Sequence, residues 1–330
     1  MKKTLSRWLV DVWYKDPFIG VWLMPLGFLF SDAVKFRKFL YKIGVLKVHT
    51  LPVPVIVVGN ITVGGTGKTP LIIWMAGFLK SAGYQPGIIS RGYGGQAETW
   101  PQAVNSSSDP KLVGDEAVLM AKWAGCPVVV GPSRVESARL LLENNTCDVV
   151  LSDDGLQHYA LNRILEIAVI DGDRRFGNGY CLPAGPLREP IERLRTVDLV
   201  IVNGDSTEDD EFSMAMQGDV LINAVTGEQK ALADFKGIPC HALAGIGNPE
   251  RFFKHLEGAG LACTTQSFPD HYQYQARDIK HKSNIPVLMT EKDAVKCTNF
   301  VQTQHWYLPI KACPEPRFAE HLLNLLKRKA

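Results

Sequence analysis

At 330 residues the chain is long enough for one large or two medium domains, each with its own buried core. Apolar residues at 46% and charged residues at 21% exclude both a disordered chain and a polytopic membrane protein, which leaves a soluble enzyme as the default expectation. The net charge of +2 is unevenly spread: residues 1–50 hold nine Lys or Arg against three Asp, and no basic stripe elsewhere points to nucleic acid.

The run Phe18–Phe30 carries no charge over thirteen residues, short of the roughly twenty a spanning helix needs. A signal peptide is not expected either, because Ser31-Asp-Ala-Val-Lys-Phe-Arg-Lys38 continues the run as an amphipathic basic helix and not as a cleavage site. Two readings remain. A helix pair can lie in a membrane interface, with Trp8, Trp13, Trp22, Phe28 and Phe30 at the headgroup boundary and the lysines on anionic phosphates, or the helices can simply pack on the domain behind them. Pro25 should kink or divide the segment.

From residue 52 onward, apolar β-branched runs alternate with helical patterns. Strands are predicted at Val53–Val58, Gln85–Ser90, Pro127–Val130, Val149–Leu151, Ile167–Ile170 and Val197–Val202, with helices at Leu71–Ala82, Asp115–Ala124 and Arg134–Asn144. Such alternation makes a doubly wound, mostly parallel α/β sheet. The polar stretch Gly204–Asp219 reads as a linker or mobile loop. A second α/β stretch begins near His241, with a helix at Pro249–Glu257, strands near Ala262–Ser267, Val287–Thr290 and His305–Leu308, and a last helix at Arg317–Lys329. The expected division is 1–50 for the amino-terminal helices, 51–205 for the core and 206–330 for a smaller subdomain that completes a cleft. Seven scattered cysteines with no CxxC pair suggest neither a disulfide framework nor a zinc site, as in a reducing cytoplasm.

Within this frame, Thr62-Val-Gly-Gly-Thr-Gly-Lys-Thr69 follows a buried strand and opens a helix, which is the context of a phosphate loop. The backbone of Val63, Gly64, Gly65, Thr66 and Gly67 can converge on phosphate oxygens, Lys68 can reach the β- and γ-phosphates, and the Thr69 hydroxyl can meet Mg²⁺. The strict pattern asks for Gly where Thr62 stands. Asp153 and Asp154 end a strand and offer the metal carboxylate such a site needs, unless they form only an Asp-Gly turn.

Asp115 and Glu116 open a helix, so Asp115 is either a cap or a base for a hydroxyl acceptor. His271 either orients that base or lies at the surface. Arg174, Arg175 and Arg188 sit in a long Gly- and Pro-rich loop where they can meet anionic groups, or water. Ser90-Arg-Gly-Tyr-Gly-Gly95 reads as a second loop at the same edge. Thr290-Glu-Lys-Asp293 reads as a purine contact or as an ordinary charged helix start.

Taken together, Thr62–Pro70, Ser90–Gly94, Gly114–Glu116, Asp153–His158, Pro186–Pro190, Phe268–Tyr272 and Thr290–Asp293 resemble the tetraacyldisaccharide 4′-kinase (lipid A 4′-kinase) family along nearly the whole chain. The resemblance implies a P-loop kinase that moves the γ-phosphate of ATP to the 4′-hydroxyl of a lipid A disaccharide precursor at the cytoplasmic face of an inner membrane. It implies Asp115 as base with His271, and Lys68, Thr69, Asp153, Asp154 and Arg188 serving ATP and Mg²⁺. Glu116 joins the candidate metal ligands. The anionic membrane surface is the expected partner, no obligate protein partner is inferred, and Thr62 becomes a family habit. Leu156 departs from the Phe expected in that motif.

Overall fold

The computed structural model describes residues 5–14, 17–206, 208–280 and 285–329. Helices α1 (Leu5–Tyr14) and α2 (Pro17–Lys42) come first, and α2 runs unbroken through Pro25. The larger sheet then takes β1 (Val55–Gly59), β2 (Pro86–Ser90), β3 (Gln102–Val104), β4 (Val128–Val130), β5 (Val149–Asp153), β6 (Leu165–Asp171), β7 (Leu199–Asn203) and β8 (Glu211–Gln217). Between them lie α3 (Lys68–Ser81), α4 (Pro110–Val113), α5 (Asp115–Trp123) and α6 (Arg134–Asn144).

The chain next builds a six-stranded sheet from β9 (Val220–Asn223), β10 (Gln229–Ala231), β11 (Cys240–Ala244), β12 (Cys263–Ser267), β13 (Val287–Thr290) and β14 (His305–Leu308). Helix α7 (Pro249–Gly258) and the single turns α8 (Ala276–Ile279) and α9 (Glu291–Ala294) belong to this part. Strand β15 (Lys311–Pro314) and helix α10 (Pro316–Lys329) then return to the larger sheet.

The larger sheet is ordered β15-β8-β7-β6-β1-β5-β2-β4-β3, parallel except at its two edges, β15 and β3. Burial on both faces explains the unbroken apolar text of β1. Ile56 and Val58 face Leu71, Ile72 and Met75 of α3 and Phe318, Leu322 and Leu326 of α10, while Val55 and Val57 face Val135, Ala138 and Leu141 of α6. β1 lies between β5 and β6, so the loop that follows it opens at the middle of the sheet.

Two expectations are corrected here. The stretch Gly204–Asp219 is no linker, because β8 pairs in parallel with β7 and antiparallel with β15. Its alternation of Phe212, Met214 and Met216 with the small or polar Ser213, Ala215 and Gln217 is a strand period, preceded by a run of acids that reads as loop. The two sheets also do not divide at residue 205, since β8, β15 and α10 all complete the first.

The amino-terminal helices dock through small residues. A Cβ on Gly20 would lie 3.0 Å from the Ala184 carbonyl oxygen, and one on Gly27 would lie 3.0 Å from the Cys181 carbonyl oxygen. Of the aromatics expected at a headgroup boundary, Trp13 is buried and donates from Nε1 to the Pro183 carbonyl at 3.0 Å, and Phe30 packs on the core. Trp22 and Phe28 do face outward, at 86% and 59% exposure, with Val21, Leu26 and Leu29 beside them. The Trp8 side chain lies outside the described residues. Among the described residues no helix is long and apolar enough to cross a membrane.

Candidate active site

β1 delivers the chain into the phosphate loop, and Gly64 (φ 114°) and Gly67 (φ 95°) take the left-handed backbone that glycine adopts without strain. Thr62 needs no such freedom. It is buried and forms a bridge with Leu187, next to the Val63 amide that donates to the Pro186 carbonyl at 2.8 Å. That pairing is a physical reason for a non-glycine residue at this position.

Asn60 Nδ2 holds the Gly64 carbonyl at 3.4 Å and Asn203 Nδ2 holds the Thr66 carbonyl at 3.2 Å. The loop is thereby braced through its carbonyls, while among the described residues the amides of Gly64, Gly65 and Thr66 make no hydrogen bond. Helix α3 starts at Lys68, adding the positive end of its dipole.

At the end of β5 the paired acids separate in role. Asp153 is fully enclosed: its Oδ2 accepts from Ser90 Oγ at 2.8 Å, and its Oδ1 has no partner. Burial, with the neighbouring Glu116 and Asp154 charges, pushes its carboxyl up to about 6. Asp154, at φ 46°, faces Arg188 Nη1 with both oxygens at 3.0 and 2.8 Å, and Lys68 Nζ lies 3.5 Å away. Burial alone would raise that carboxyl, but Lys68 and Arg188 outweigh it and hold the group well below the usual range.

A raised carboxyl means the ionised form is disfavoured in the fold: the stability it brings is present below the unfolded pKa and is lost as pH rises through about 6. Asp153→Asn should therefore stabilise the ligand-free protein at pH 8, by up to about 3 kcal/mol on the size of the shift. Urea unfolding at pH 5 and pH 8 reads this out, and a variant no more stable than the parent at pH 8 contradicts it.

Asp115 is the first residue of α5 and not its cap; that place belongs to Gly114, at φ 94°. The Asp115 carboxylate is buried and receives the Glu116 amide at 2.9 Å, and His271 Nδ1 stands 3.2 Å from Oδ1. Lys296 Nζ lies 3.8 Å from its Oδ2 and 2.8 Å from Asp293. Burial works to raise this carboxyl, but the His271 hydrogen bond with Lys292, His271 and Lys296 charges brings it down to about 2. His271 is thus no idle surface histidine. It sits at φ 55° with its ring 4.8 Å from that of Tyr93, which brings the Ser90–Gly95 loop to the same place.

Other candidates are engaged by the chain itself. Glu116 Oε1 meets Lys292 at 3.0 Å. Arg175 forms two bonds with Glu211, at 2.8 and 2.9 Å, so its guanidinium is already paired, while Arg174 is braced through one nitrogen on the Gly247 carbonyl at 2.8 Å. In the segment Thr290–Asp293, Asp293 is fully buried: its Oδ2 accepts from Gly245 N at 3.0 Å and Thr290 Oγ1 at 2.6 Å, and its Oδ1 faces Lys296 at 2.8 Å.

Sequence reasoning missed Asn60, Asn203, Arg134 and Lys296, and gave Lys292 no role beyond its place in Thr290–Asp293. Asn203 had a signal, a polar residue at the end of an apolar strand. Arg134 is buried and donates to the Asp153 carbonyl at 2.8 Å, and the two lysines approach from the second sheet.

Among the described residues no set of three or more His, Cys, Asp and Glu could hold a metal. A magnesium ion bound mainly through nucleotide phosphates needs fewer protein ligands. The unpartnered Asp153 Oδ1 beside the phosphate loop, with the hydroxyl of Thr69, fits that demand.

A nucleotide-cradling loop at the centre of a parallel sheet, a carboxylate at the end of the next strand and a histidine-paired aspartate define a P-loop phosphotransferase. Residues 19–327 match the family model for tetraacyldisaccharide-1-P 4′-kinase. The chain is 51% identical over 98% of its length to the tetraacyldisaccharide 4′-kinase of Nitrosococcus oceani, covering 96% of that protein. It is 46% identical over 99% of its length to that of Methylobacillus flagellatus, covering 98% of it. The crystal structure of LpxK from Aquifex aeolicus in complex with ATP superimposes with a TM-score of 0.78 at 30% identity, covering 94% of this chain and all of that one. The chain belongs to the tetraacyldisaccharide-1-P 4′-kinase family and is a kinase.

Proposed function

We propose that this kinase transfers the γ-phosphoryl group of ATP to the 4′-hydroxyl of a tetraacyldisaccharide 1-phosphate, forming lipid IVA at the cytoplasmic face of the inner membrane. The observation that carries the acceptor chemistry is the buried Asp115 carboxylate paired with His271, inside the family match. In this reading the loop Thr62–Gly67 and Lys68 hold the nucleotide, and Arg188 fixes Asp154 beside Lys68.

Asp153 and Thr69 would hold Mg²⁺, which when bound offsets phosphate charge. Glu116 and Asp154, each already facing a cation, would add negative charge near the bound ion. A carboxylate held near 2 is a weak base. Its work is to orient the acceptor hydroxyl and take the proton late, as a loose phosphoryl transfer requires. His271 sets the carboxylate's direction.

Mass spectrometry of the disaccharide precursor incubated with the protein, ATP and Mg²⁺ tests the reading: one added phosphate is expected, and an unchanged lipid sinks it. The membrane placement has its own test. Trp22 and Phe28 are exposed, so replacing both by Ser should leave thermal unfolding unchanged while weakening vesicle binding by about tenfold or more. Equal sedimentation of parent and variant with anionic vesicles would remove α2 from the membrane.

A further inference from the structure

We propose that the cavity between α2 and the Tyr159–Arg163 loop is a headgroup site for one anionic phospholipid of the bilayer, separate from the acceptor site. The cavity is an open groove of about 480 Å³, lined by Lys35, Lys38, Phe39 and Lys42 on one side and Tyr159 and Arg163 on the other. That volume is within the roughly 300–1,000 Å³ of small-ligand sites.

Lys35, Lys38 and Lys42 are spaced three and four residues apart, which stacks them along one face of α2. Their charges are not balanced locally. Lys35 has only a long contact with Asp32, 3.9 Å, and among the described residues no carboxylate lies within ion-pair distance of Lys38 or Lys42. The nearby acids are already taken. Glu166 meets Arg163 at 3.0 Å and Arg193 at 2.6 Å, and Glu189 receives the Tyr159 hydroxyl at 2.5 Å and faces Arg193 at 3.2 Å.

The cavity therefore presents unpaired ammonium groups beside aromatic walls, with Lys38 Nζ 5.9 Å from the centre of the Tyr159 ring. A phosphodiester bearing one negative charge supplies the missing counter-charge. The exposed Phe39 and Val48 that line it are apolar surface for the acyl chains of the same molecule. A free inorganic anion would satisfy the lysines and leave that surface in water. This proposal rests on α2 being the membrane-facing element, and it adds that α2 grips a single lipid in addition to a charged surface.

The full chain is titrated by calorimetry with short-chain phosphatidylglycerol kept monomeric, and separately with inorganic phosphate. Saturable one-to-one binding of the lipid is expected, tighter than that of phosphate. The double variant Lys38→Gln with Lys42→Gln should weaken it by about tenfold or more. Arg37→Gln with Lys47→Gln removes the same charge from the same segment outside the cavity and should change it by less than about twofold. Equal losses in both variants, equal affinity for phosphate, or no saturable lipid binding overturns the proposal.

Kinetics in uncharged detergent separate the source of the phosphate: a raised KM for the disaccharide substrate in the first variant alone would assign the cavity to the substrate instead. Failure of the parent protein to bind anionic vesicles at all would sink the membrane reading beneath it. Vesicle binding without monomer binding would sink this proposal only.

Discussion

Asp115→Asn should lower kcat for phosphoryl transfer by about 10²- to 10⁴-fold while leaving ATP affinity nearly unchanged. The substitution keeps the shape of the side chain and an oxygen for the Glu116 amide, but it removes the charge that His271 and Lys296 face. A stability cost accompanies the kinetic one. The folded pKa is depressed to about 2, so the ionised form stabilises the protein above the unfolded value and this contribution is lost only as pH falls through about 2. At neutral pH the variant should thus lose about 2 kcal/mol, read by urea unfolding. Single-turnover transfer and calorimetric ATP binding separate the two effects. A variant that retains kcat within tenfold of the parent removes Asp115 from the chemistry.

The second large effect is expected from Gly247→Val, at a residue whose carbonyl accepts from Arg174. A Cβ there would lie 2.7 Å from the Gly65 amide nitrogen and 3.4 Å from the Gly65 Cα, both backbone atoms of the phosphate loop. Neither can swing away as a flexible side chain does, so the second sheet must back off or the phosphate loop must deform. Displacements near 1 Å at a reacting centre cost on the order of 10²-fold in rate.

We expect kcat/KM for ATP to fall by about that factor with little change in thermal unfolding, because each sheet keeps its own packed core. Gly77→Ala on α3, where a Cβ meets nothing within 4 Å, is the control. Normal ATP kinetics in the valine variant would show that the two sheets do not need this close approach.

What could be read from the text alone divides by the range of the interaction. Lys68, Thr69 and their glycines are neighbours in sequence, and strand, turn and helix signals converge on them. Helix Arg134–Asn144 was legible for the same reason, with Ser133 accepting from the Glu136 amide as its cap. The pairing of Lys292 with Glu116 spans 176 residues, and only the tertiary fold brings it about.

The inward turn of Trp13 and Phe30 was equally hidden, because hydropathy gives an aromatic the same value on either face of a helix. The glycines at 20 and 27 decide which face docks. The edge strand β15 escaped notice because its four residues lie close to Pro309 and contain Pro314, which read as loop. Resemblance to the kinase family supplied the acceptor, which no local pattern in the chain encodes.

The return of β15 and α10 to the larger sheet bears on how the protein is made. Lys311 pairs with Gln217, so the chain leaves and re-enters the sheet at one place, ninety-odd residues apart in synthesis. Phe318, Leu322 and Leu326 of α10 close the layer on which α3 rests, with the Phe318 ring tilted against that of Trp74 at 5.9 Å. During translation the phosphate loop and its lysine emerge early, yet the floor beneath their helix is laid only after the whole second sheet has been synthesised. A ribosome-bound nascent chain lacking α10 would carry the nucleotide motif on an open apolar face, a natural client for chaperones until the last helix arrives.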